Sequence, residues 1–433
     1  MTAQDHKDDK ATDDPLNPPT SVSWFRRLGP GLITGAADDD PSGIATYSQA
    51  GAQFGVNMLW TLVLTYPLMT AIQAICARIG RVTGEGLAAN MLHVLPRWLV
   101  NVIVLLLLVA NIVNIGADIA AMGAAAKLVL GGGEKICAVV FAIGSLLLQI
   151  FVPYHRYVHV LKWLTLALFA YVGVLFTVDI DWKSVALGVV WPQIKWSGEF
   201  VTVVVAVFGT TISPYLFFWQ SAEEVEDTAA GDFKGSLLDY PEDAPVELNR
   251  IAIDTYVGMG VSNLVAFFII LTTAVTLHKA GITDIETSAQ AAEALRPIAG
   301  EFGFLLFSLG IIGTGLLALP VLAGSAAYAV GELRGWRIGL EEKPENAKAF
   351  YGVIALSILA GLAMLFLPID PIKALFWSAV LNGVIAVPLM AATMIVASSR
   401  KHLGPFVAPP VLKFVGWVAT AVMAAAALSM FFL

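Results

Sequence analysis

The chain has 433 residues, of which 58% are apolar and only 13% are charged. A soluble domain is usually about a quarter charged, so this composition excludes an ordinary soluble protein. The formal net charge is −8, with no basic patch and no nucleotide-binding loop, which argues against a nucleic-acid partner and against an enzyme or a resident cofactor.

The first 23 residues are polar, acidic and rich in proline, which is typical of a disordered tail. They lack the charged and then apolar order of a cleavable signal peptide, so we expect the first helix to be retained. The rest of the chain, 24–433, is predicted to be a single transmembrane transport domain.

Apolar runs long enough to cross a hydrocarbon core of ~30 Å recur along this domain. They predict an all-α integral membrane protein rather than a barrel, which would show ~10-residue alternating segments. Bounded by charge, Gly and Pro, about eleven spans are predicted, near 29–52, 55–77, 98–126, 136–153, 160–179, 199–221, 251–277, 302–331, 350–367, 371–397 and 411–432.

The basic residues predict the topology. If the N-terminus is cytoplasmic, 18 of the 25 Lys and Arg residues lie in inside segments, as expected for a cell-membrane protein. An odd number of spans then places the C-terminus outside. The acidic segment 222–250 becomes the longest inside connection, and we expect either a solvated loop or a vestibule that collects cations.

Two spans are interrupted in matching places. Span 1 contains DDDPSG at residues 38–43, and span 6 contains GTTISP at 209–214. Proline removes a backbone donor, and freed carbonyls at membrane depth must line a cavity or be buried in protein. Because the breaks are five spans apart, they predict two inverted five-helix repeats, about 29–180 and 199–397, with an extra helix at about 411–432.

The breaks carry oxygen donors suited to a cation. Three adjacent aspartates at membrane depth are costly unless they are compensated. Asp40, directly before Pro41, is the predicted metal ligand, whereas Asp38 and Asp39 point to other faces and suit a vestibule or ion route. Backbone opened at Gly43 and the oxygens of span 6 complete the predicted metal site, with Thr210, Thr211 and Ser213 as donors.

Other polar side chains fall within predicted spans. Asp118 suits either the ion route or helix packing, and asparagines such as Asn114 usually form interhelical hydrogen bonds. The predicted route is completed by Tyr215, Gln220, Ser378 and Asn382. Hard oxygen ligands suit Mg²⁺, Ca²⁺ or Mn²⁺ better than late transition metals.

The segment GPGLITGAADDDPSGIATYSQAGAQFG resembles the first helix of the Nramp family of divalent-metal transporters, and GTTISPYLFFWQSA resembles its sixth. The resemblance extends over about 24–430. It implies a LeuT-type fold with broken helices 1 and 6, alternating access, and a divalent metal ion and the lipid bilayer as partners. The oligomeric state stays open, and a monomer is compatible with the sequence.

The chain departs from the family pattern at several ligand positions. The family's Asp-Pro-Gly-Asn is here Asp40-Pro41-Ser42-Gly43, and its Met-Pro-His is Ser213-Pro214-Tyr215. Its span 3 glutamate is Ala121, its later span 6 histidine is Gln220, and span 9 has no arginine.

Because it lacks the methionine sulfur and the residues of the family's proton pathway, the chain is similar to the Nramp-related magnesium transporter branch. It favours uptake of Mg²⁺ and Mn²⁺ without coupled protons. The alternatives are a proton-coupled Mn²⁺/Fe²⁺ symporter, a cation-coupled organic-solute transporter, and a membrane sensor or receptor.

Overall fold

The computed structural model describes residues 30–154, 161, 164–194, 196–230 and 235–432. The predicted tail at 1–23 lies outside the described residues. Within the described ranges the chain forms helices and turns without a β-strand.

The described residues of the first half of the chain include eight helices. They are α1 Pro30–Asp38, α2 Pro41–Phe54, α3 Leu59–Thr83, α4 Leu87–Val94, α5 Arg97–Leu130, α6 Glu134–Phe151, α7 Phe169–Val174 and α8 Trp182–Val190. A 3₁₀ turn, Leu164–Leu168, precedes α7.

The described residues of the second half include seven longer helices. They are α9 Gly198–Thr211, α10 Pro214–Ala230, α11 Ala244–Thr273, α12 Gly303–Arg334, α13 Lys348–Met364, α14 Pro371–Ser398 and α15 Pro410–Phe432. Short helical turns between α11 and α12 cover Ser288–Ala292 and Arg296–Ala299.

These helices confirm the predicted span pattern. Eight helical segments among the described residues are long and apolar enough to cross a membrane, and the shorter α13 matches the ninth predicted span. The fifth predicted span is described only in part, as the 3₁₀ turn followed by the short α7. The turn predicted around 367–371 separates α13 from α14.

Both predicted breaks are present. Helix α1 ends at Asp38 and α2 begins at Pro41, while α9 ends at Thr211 and α10 begins at Pro214. Proline suits the first position of a helix, because the backbone donor that it lacks would be unsatisfied there anyway. Each proline therefore ends one helix and starts the next.

The helices that contain the sixth-span break lie at the centre of the bundle. In Gly198–Thr228, 94% of the most apolar stretch is buried, against 28% in α6 and in α15. The periphery is therefore formed by helices such as α6 and α15, and the second break is enclosed by protein on all sides.

The acidic segment at 222–250 is not one solvated loop, so that expectation was wrong. Helix α10 continues to Ala230 and α11 begins at Ala244. Within them Glu224 is fully buried and Glu247 is 2% exposed. Arg250 donates to Glu224 at 2.8 Å, and Arg81 of α3 pairs with Glu247 at 3.2 Å. An acidic run of this kind is typical of a solvated loop, and the sequence does not show that arginines far along the chain pair with its glutamates.

Gly209 allows α9 and α14 to touch. A Cβ at this position would overlap the carbonyl of Ala379 and the amide of Gly383. We expect Gly209→Ala to destabilise the protein by about 1–3 kcal/mol, because the backbone cannot give way as a flexible side chain would.

Gly352 of α13 provides the matched control, since a Cβ there meets nothing within 4 Å. Gly352→Ala should be neutral or stabilising by up to about 1 kcal/mol through helix propensity. Thermal unfolding of both variants in the same detergent measures the difference. Equal midpoints for the two variants would contradict the assigned close contact.

Candidate functional site

The Asp40 carboxylate lies at the first break and faces the protein interior. The residue is only 2% exposed. Its Oδ1 accepts a hydrogen bond from the Gly43 amide at 2.7 Å, so it caps α2. Its Oδ2 accepts from Asn114 Nδ2 at 3.0 Å, and the Tyr215 hydroxyl lies 3.5 Å from the same oxygen. The carboxylate therefore joins α2, α5 and α10.

Each break releases one backbone carbonyl, and a nearby hydroxyl bonds to it. Proline has no N–H for the residue four positions earlier, so Pro41 leaves the Ala37 carbonyl free and Pro214 leaves the Thr210 carbonyl free. The Tyr215 hydroxyl donates to Ala37 O at 3.1 Å. The Ser213 hydroxyl donates to Thr210 O at 2.6 Å.

A carbonyl oxygen has two lone pairs, so each of these oxygens can still accept a second partner. The two freed carbonyls therefore remain possible cation donors. Both hydroxyls that donate to them, those of Ser213 and Tyr215, flank Pro214 at the second break.

The two breaks also approach each other directly. A Cβ added to Gly43 would lie 3.1 Å from the Thr210 hydroxyl oxygen and 3.4 Å from the Asp38 carbonyl. The hydroxyls of Tyr47 and Thr211 are 3.2 Å apart and share a hydrogen bond. The predicted oxygen donors of α9 are thus beside the start of α2.

A chain of buried amides and carboxylates extends from Asp40. Asn114 Nδ2 also donates to Asp118 Oδ2 at 3.1 Å, and Asn382 Nδ2 donates to Asn114 Oδ1 at 3.1 Å. Within the described chain, Asp118 Oδ1 and Asn382 Oδ1 have no hydrogen-bond partner. These are buried acceptor atoms at the side of the Asp40 site.

Asp38 and Asp39 turn towards α11 instead. The Ser262 hydroxyl lies 2.8 Å from Asp38 Oδ2 and 3.1 Å from Asp39 Oδ1. One hydroxyl proton can satisfy only one of these oxygens at a time, and Asp38 Oδ1 has no partner among the residues described. Both side chains are at most 5% exposed, so two further buried carboxyl groups stand next to Asp40 in the chain.

The other two route candidates lie away from the Asp40 carboxylate. Gln220 accepts from the Thr34 hydroxyl at 2.6 Å and its amide donates to Glu224 at 3.2 Å. Ser378 donates to the Leu375 carbonyl of its own helix at 2.7 Å. In the described structure neither side chain forms a hydrogen bond with Asp40.

Sequence reasoning missed Asn114, Ser262 and Tyr47. Asn114 does form the interhelical hydrogen bonds expected of an asparagine within a span, but one of its partners is the predicted ligand Asp40, which was not expected. The available signal was its position one turn before Asp118 on α5, which places both side chains on one helix face.

A cavity of about 580 Å³ approaches the site from the predicted outer side. It reaches Ala45 of α2 and Val203 of α9, and it is lined by the charged side chains Glu199, Asp284 and Lys373. The acidic side chains outnumber the lysine, so an entering cation would meet a net negative charge.

The opposite side is closed by α1. The Gly31 amide donates to Asp254 of α11 at 2.7 Å, and the Thr34 hydroxyl donates to Gln220 of α10. A Cβ at Gly35 would overlap the backbone of Gly258, so α1 lies directly against α11. The outer cavity thus lies on one side of the site, and α1 packs against α10 and α11 on the other.

The site would hold an ion with few protein charges. No group of three or more His, Cys, Asp or Glu side chains is placed together for metal binding in the described part of the chain. A cation at Asp40 would thus rely on a carboxylate, neutral oxygens and water.

Residues 31–433 match the family model described as natural resistance-associated macrophage protein-like, or Nramp. The chain belongs to the Nramp family. Together with the membrane-length helices, this membership makes it a multi-pass membrane protein.

Curated relatives of this Nramp protein are named as transporters rather than enzymes, in agreement with the expectation from sequence. It is 25% identical over 404 residues to the divalent metal cation transporter MntH of Klebsiella pneumoniae, covering 92% of this chain and 91% of the relative. It is 26% identical to MntH of Acidiphilium cryptum, covering 87% and 82%.

Solved structures show the same fold. The Eremococcus coleocola manganese transporter, in complex with an aromatic bis-isothiourea substituted compound, superimposes with a TM-score of 0.74 at 15% identity, covering 95% of this chain and 88% of that one. Mhp1, a nucleobase-cation-symport-1 family transporter, gives 0.53 at 13% identity, covering 97% and 96%. The predicted LeuT-type architecture of this Nramp protein is therefore confirmed.

Proposed function

We propose that this Nramp protein transports divalent metal cations, Mg²⁺ and Mn²⁺ before others, by alternating access at Asp40. The observation that carries the proposal is the buried Asp40 carboxylate at the unwound first break. Its described hydrogen-bonding neighbours are all nitrogen or oxygen atoms. The names of the relatives, a divalent metal cation transporter and a manganese transporter, support the same substrate class.

The preference for a hard and partly hydrated ion rests on two positions. Ser213 contributes a hydroxyl where the family pattern has a methionine sulfur, and hydroxyl oxygen suits Mg²⁺. Gly43 has no side chain where the family pattern has asparagine, so one protein ligand is absent. Mg²⁺ gives up its water reluctantly and usually keeps several water ligands when bound to proteins, so a site with fewer protein ligands favours it.

The absence of proton coupling is the second part of the proposal. In the described structure Asp118 bonds to Asn114, and the glutamate of the family pattern is Ala121. Span 9, which is α13, has no arginine to form the other half of a proton relay. Transport would then follow the metal gradient and the membrane potential alone.

Purified protein in liposomes tests both parts. Mg²⁺ or Mn²⁺ influx should proceed without a change of internal pH, as read by a trapped pH dye. Acidification that tracks Mn²⁺ uptake would instead support the proton-coupled symporter. Organic-solute counterflow that ignores divalent ions would support the organic-solute transporter and reject metal transport.

Ser213→Met restores a sulfur at the second break and should tighten Cd²⁺ binding by roughly tenfold, which corresponds to ~1.4 kcal/mol. Ser213→Leu is the matched control, because it adds similar volume without sulfur. Calorimetric titration with Cd²⁺ and Mn²⁺ measures the effect.

Met122 is a native sulfur near the first break, where it packs against Gly315 beside the Pro41 ring. Because Met122 is not one of the proposed ligands, Met122→Leu should leave Cd²⁺ affinity unchanged. Equal Cd²⁺ affinity in the Met and Leu variants of Ser213 would contradict the placement of Ser213 at the ion.

A further inference from the structure

A cavity of about 790 Å³ lies away from the Asp40 site, on the flank of the bundle. It is a groove between α3, α11 and α15, and its volume exceeds that of the outer cavity described above. Most of its walls are apolar, formed by Pro67, Ala71, Ala74, Leu248, Ile251, Ala252, Val411, Leu412 and Val415.

One end of the groove carries an uncompensated positive charge. Arg78 of α3 is half-buried there, and its Nε donates to the Phe406 carbonyl at 2.8 Å. Its second contact, from Nη2 to the Val407 carbonyl, is long at 3.5 Å. Both partners are neutral, and no carboxylate of the described residues forms an ion pair with Arg78. The exposed amide of Asn249 lines the same end.

Tyr66 and Tyr256 line the other end of the groove. The Tyr66 hydroxyl donates to the Tyr256 carbonyl at 3.1 Å, which links α3 to α11. At 1.5 Å per helical residue, Tyr66 to Arg78 spans about 18 Å and Asn249 to Tyr256 about 10 Å. One leaflet of a ~30 Å hydrocarbon core is about 15 Å thick, which lies between these two lengths. The groove is therefore as deep as one leaflet, with Arg78 at the end predicted to be cytoplasmic.

We propose that this groove binds one anionic phospholipid, with an acyl chain between α3, α11 and α15 and the headgroup phosphate on Arg78. A guanidinium is well suited to phosphate, because its N–H groups match the phosphate oxygens in pairs. Anionic lipids of the cytoplasmic leaflet are drawn to basic residues at this depth. A peptide fits less well, since the helical backbones that form the walls have their own hydrogen bonds and the groove lies at membrane depth.

Native mass spectrometry of the full-length protein tests the headgroup contact. Phosphatidylglycerol and phosphatidylcholine with the same acyl chains are supplied in turn. The wild type should retain phosphatidylglycerol preferentially, and Arg78→Gln should lower that retention roughly fivefold, the factor for about 1 kcal/mol per basic residue near a membrane surface. Arg97→Gln, at the exposed start of α5, is the matched control and should keep the preference.

Three results would overturn the proposal. They are equal retention of the two lipids by the wild type, a preference that survives Arg78→Gln, and a preference lost equally in Arg97→Gln. Ala252→Phe tests the acyl seat, because its ring would fill the groove between α3 and α11. It should reduce retention of both lipids, and unchanged retention would reject the groove as the binding site.

Discussion

Replacing Asp40 with asparagine should abolish divalent-cation transport while the protein remains folded. Asparagine can still accept the hydrogen bond from the Gly43 amide, so the cap of α2 is kept. The charge is lost, and so is the second oxygen, which accepts from Asn114. Removing a residue that merely orients a ligand costs roughly 10–100-fold in metal affinity, and the loss of a ligand should exceed that. Mn²⁺ uptake into liposomes and calorimetric titration measure the two effects.

Asp370→Asn is the matched control. Asp370 also precedes a proline and caps a helix, accepting from the Ile372 and Lys373 amides, but it lies in the exposed turn before α14. Its variant should transport at the wild-type rate. Asp40→Ala should lose both the charge and the cap, and its unfolding temperature should fall below that of Asp40→Asn. Normal uptake by Asp40→Asn would reject the site assignment.

The second large effect is expected at the buried ion pair between α3 and α11. The Arg81 side chain is fully buried and the Glu247 side chain is 2% exposed. Arg81 Nη1 also donates to the Gly235 carbonyl at 2.7 Å, which links α3 to the connection before α11. We expect Arg81→Met to destabilise the protein by about 1.5–3 kcal/mol, because Glu247 loses one of its two arginine partners and keeps Arg250 at 3.2 Å.

Urea or thermal unfolding in detergent measures this loss, and the double variant Arg81→Met/Glu247→Met should recover a large part of it. Arg296→Met is the control, since Arg296 and Glu293 form an exposed pair that should be worth about 0–1 kcal/mol. A double variant no more stable than Arg81→Met would mean that packing, rather than the ion pair, holds α3 to α11.

The breaks in the first and sixth spans could be predicted because their cause is local. A proline lacks an N–H and weakens the helix before it, but Pro67, Pro320 and Pro388 stay inside continuous helices. The breaks were predictable because the proline stands beside glycine, serine and other polar residues, and the aspartates before Pro41 cannot be left in lipid. The same local chemistry located the turn before Asp370, where Pro368 and Pro371 end one helix and start another.

The contacts of Asp40 could not be predicted in the same way. Asn114 lies 74 residues further along the chain, and the polar pattern of α5 does not show which of its faces meets α2. Ser262 is similar, because one hydroxyl between Asp38 and Asp39 requires α11 to pack against the first break. Acidic runs such as 222–250 are ambiguous for the same reason, because the sequence does not distinguish a solvated carboxylate from a buried one.

The sequence by itself determined a membrane-spanning helical bundle, two symmetry-related breaks and a carboxylate at the first of them. These follow from hydropathy, proline geometry and the cost of charge in hydrocarbon, which act within about 20 residues. Only the tertiary structure decided which oxygens surround Asp40, which side of the site is closed and where the buried arginines find their partners. Those outcomes depend on helices far apart in the chain, whose mutual packing sets every distance between them.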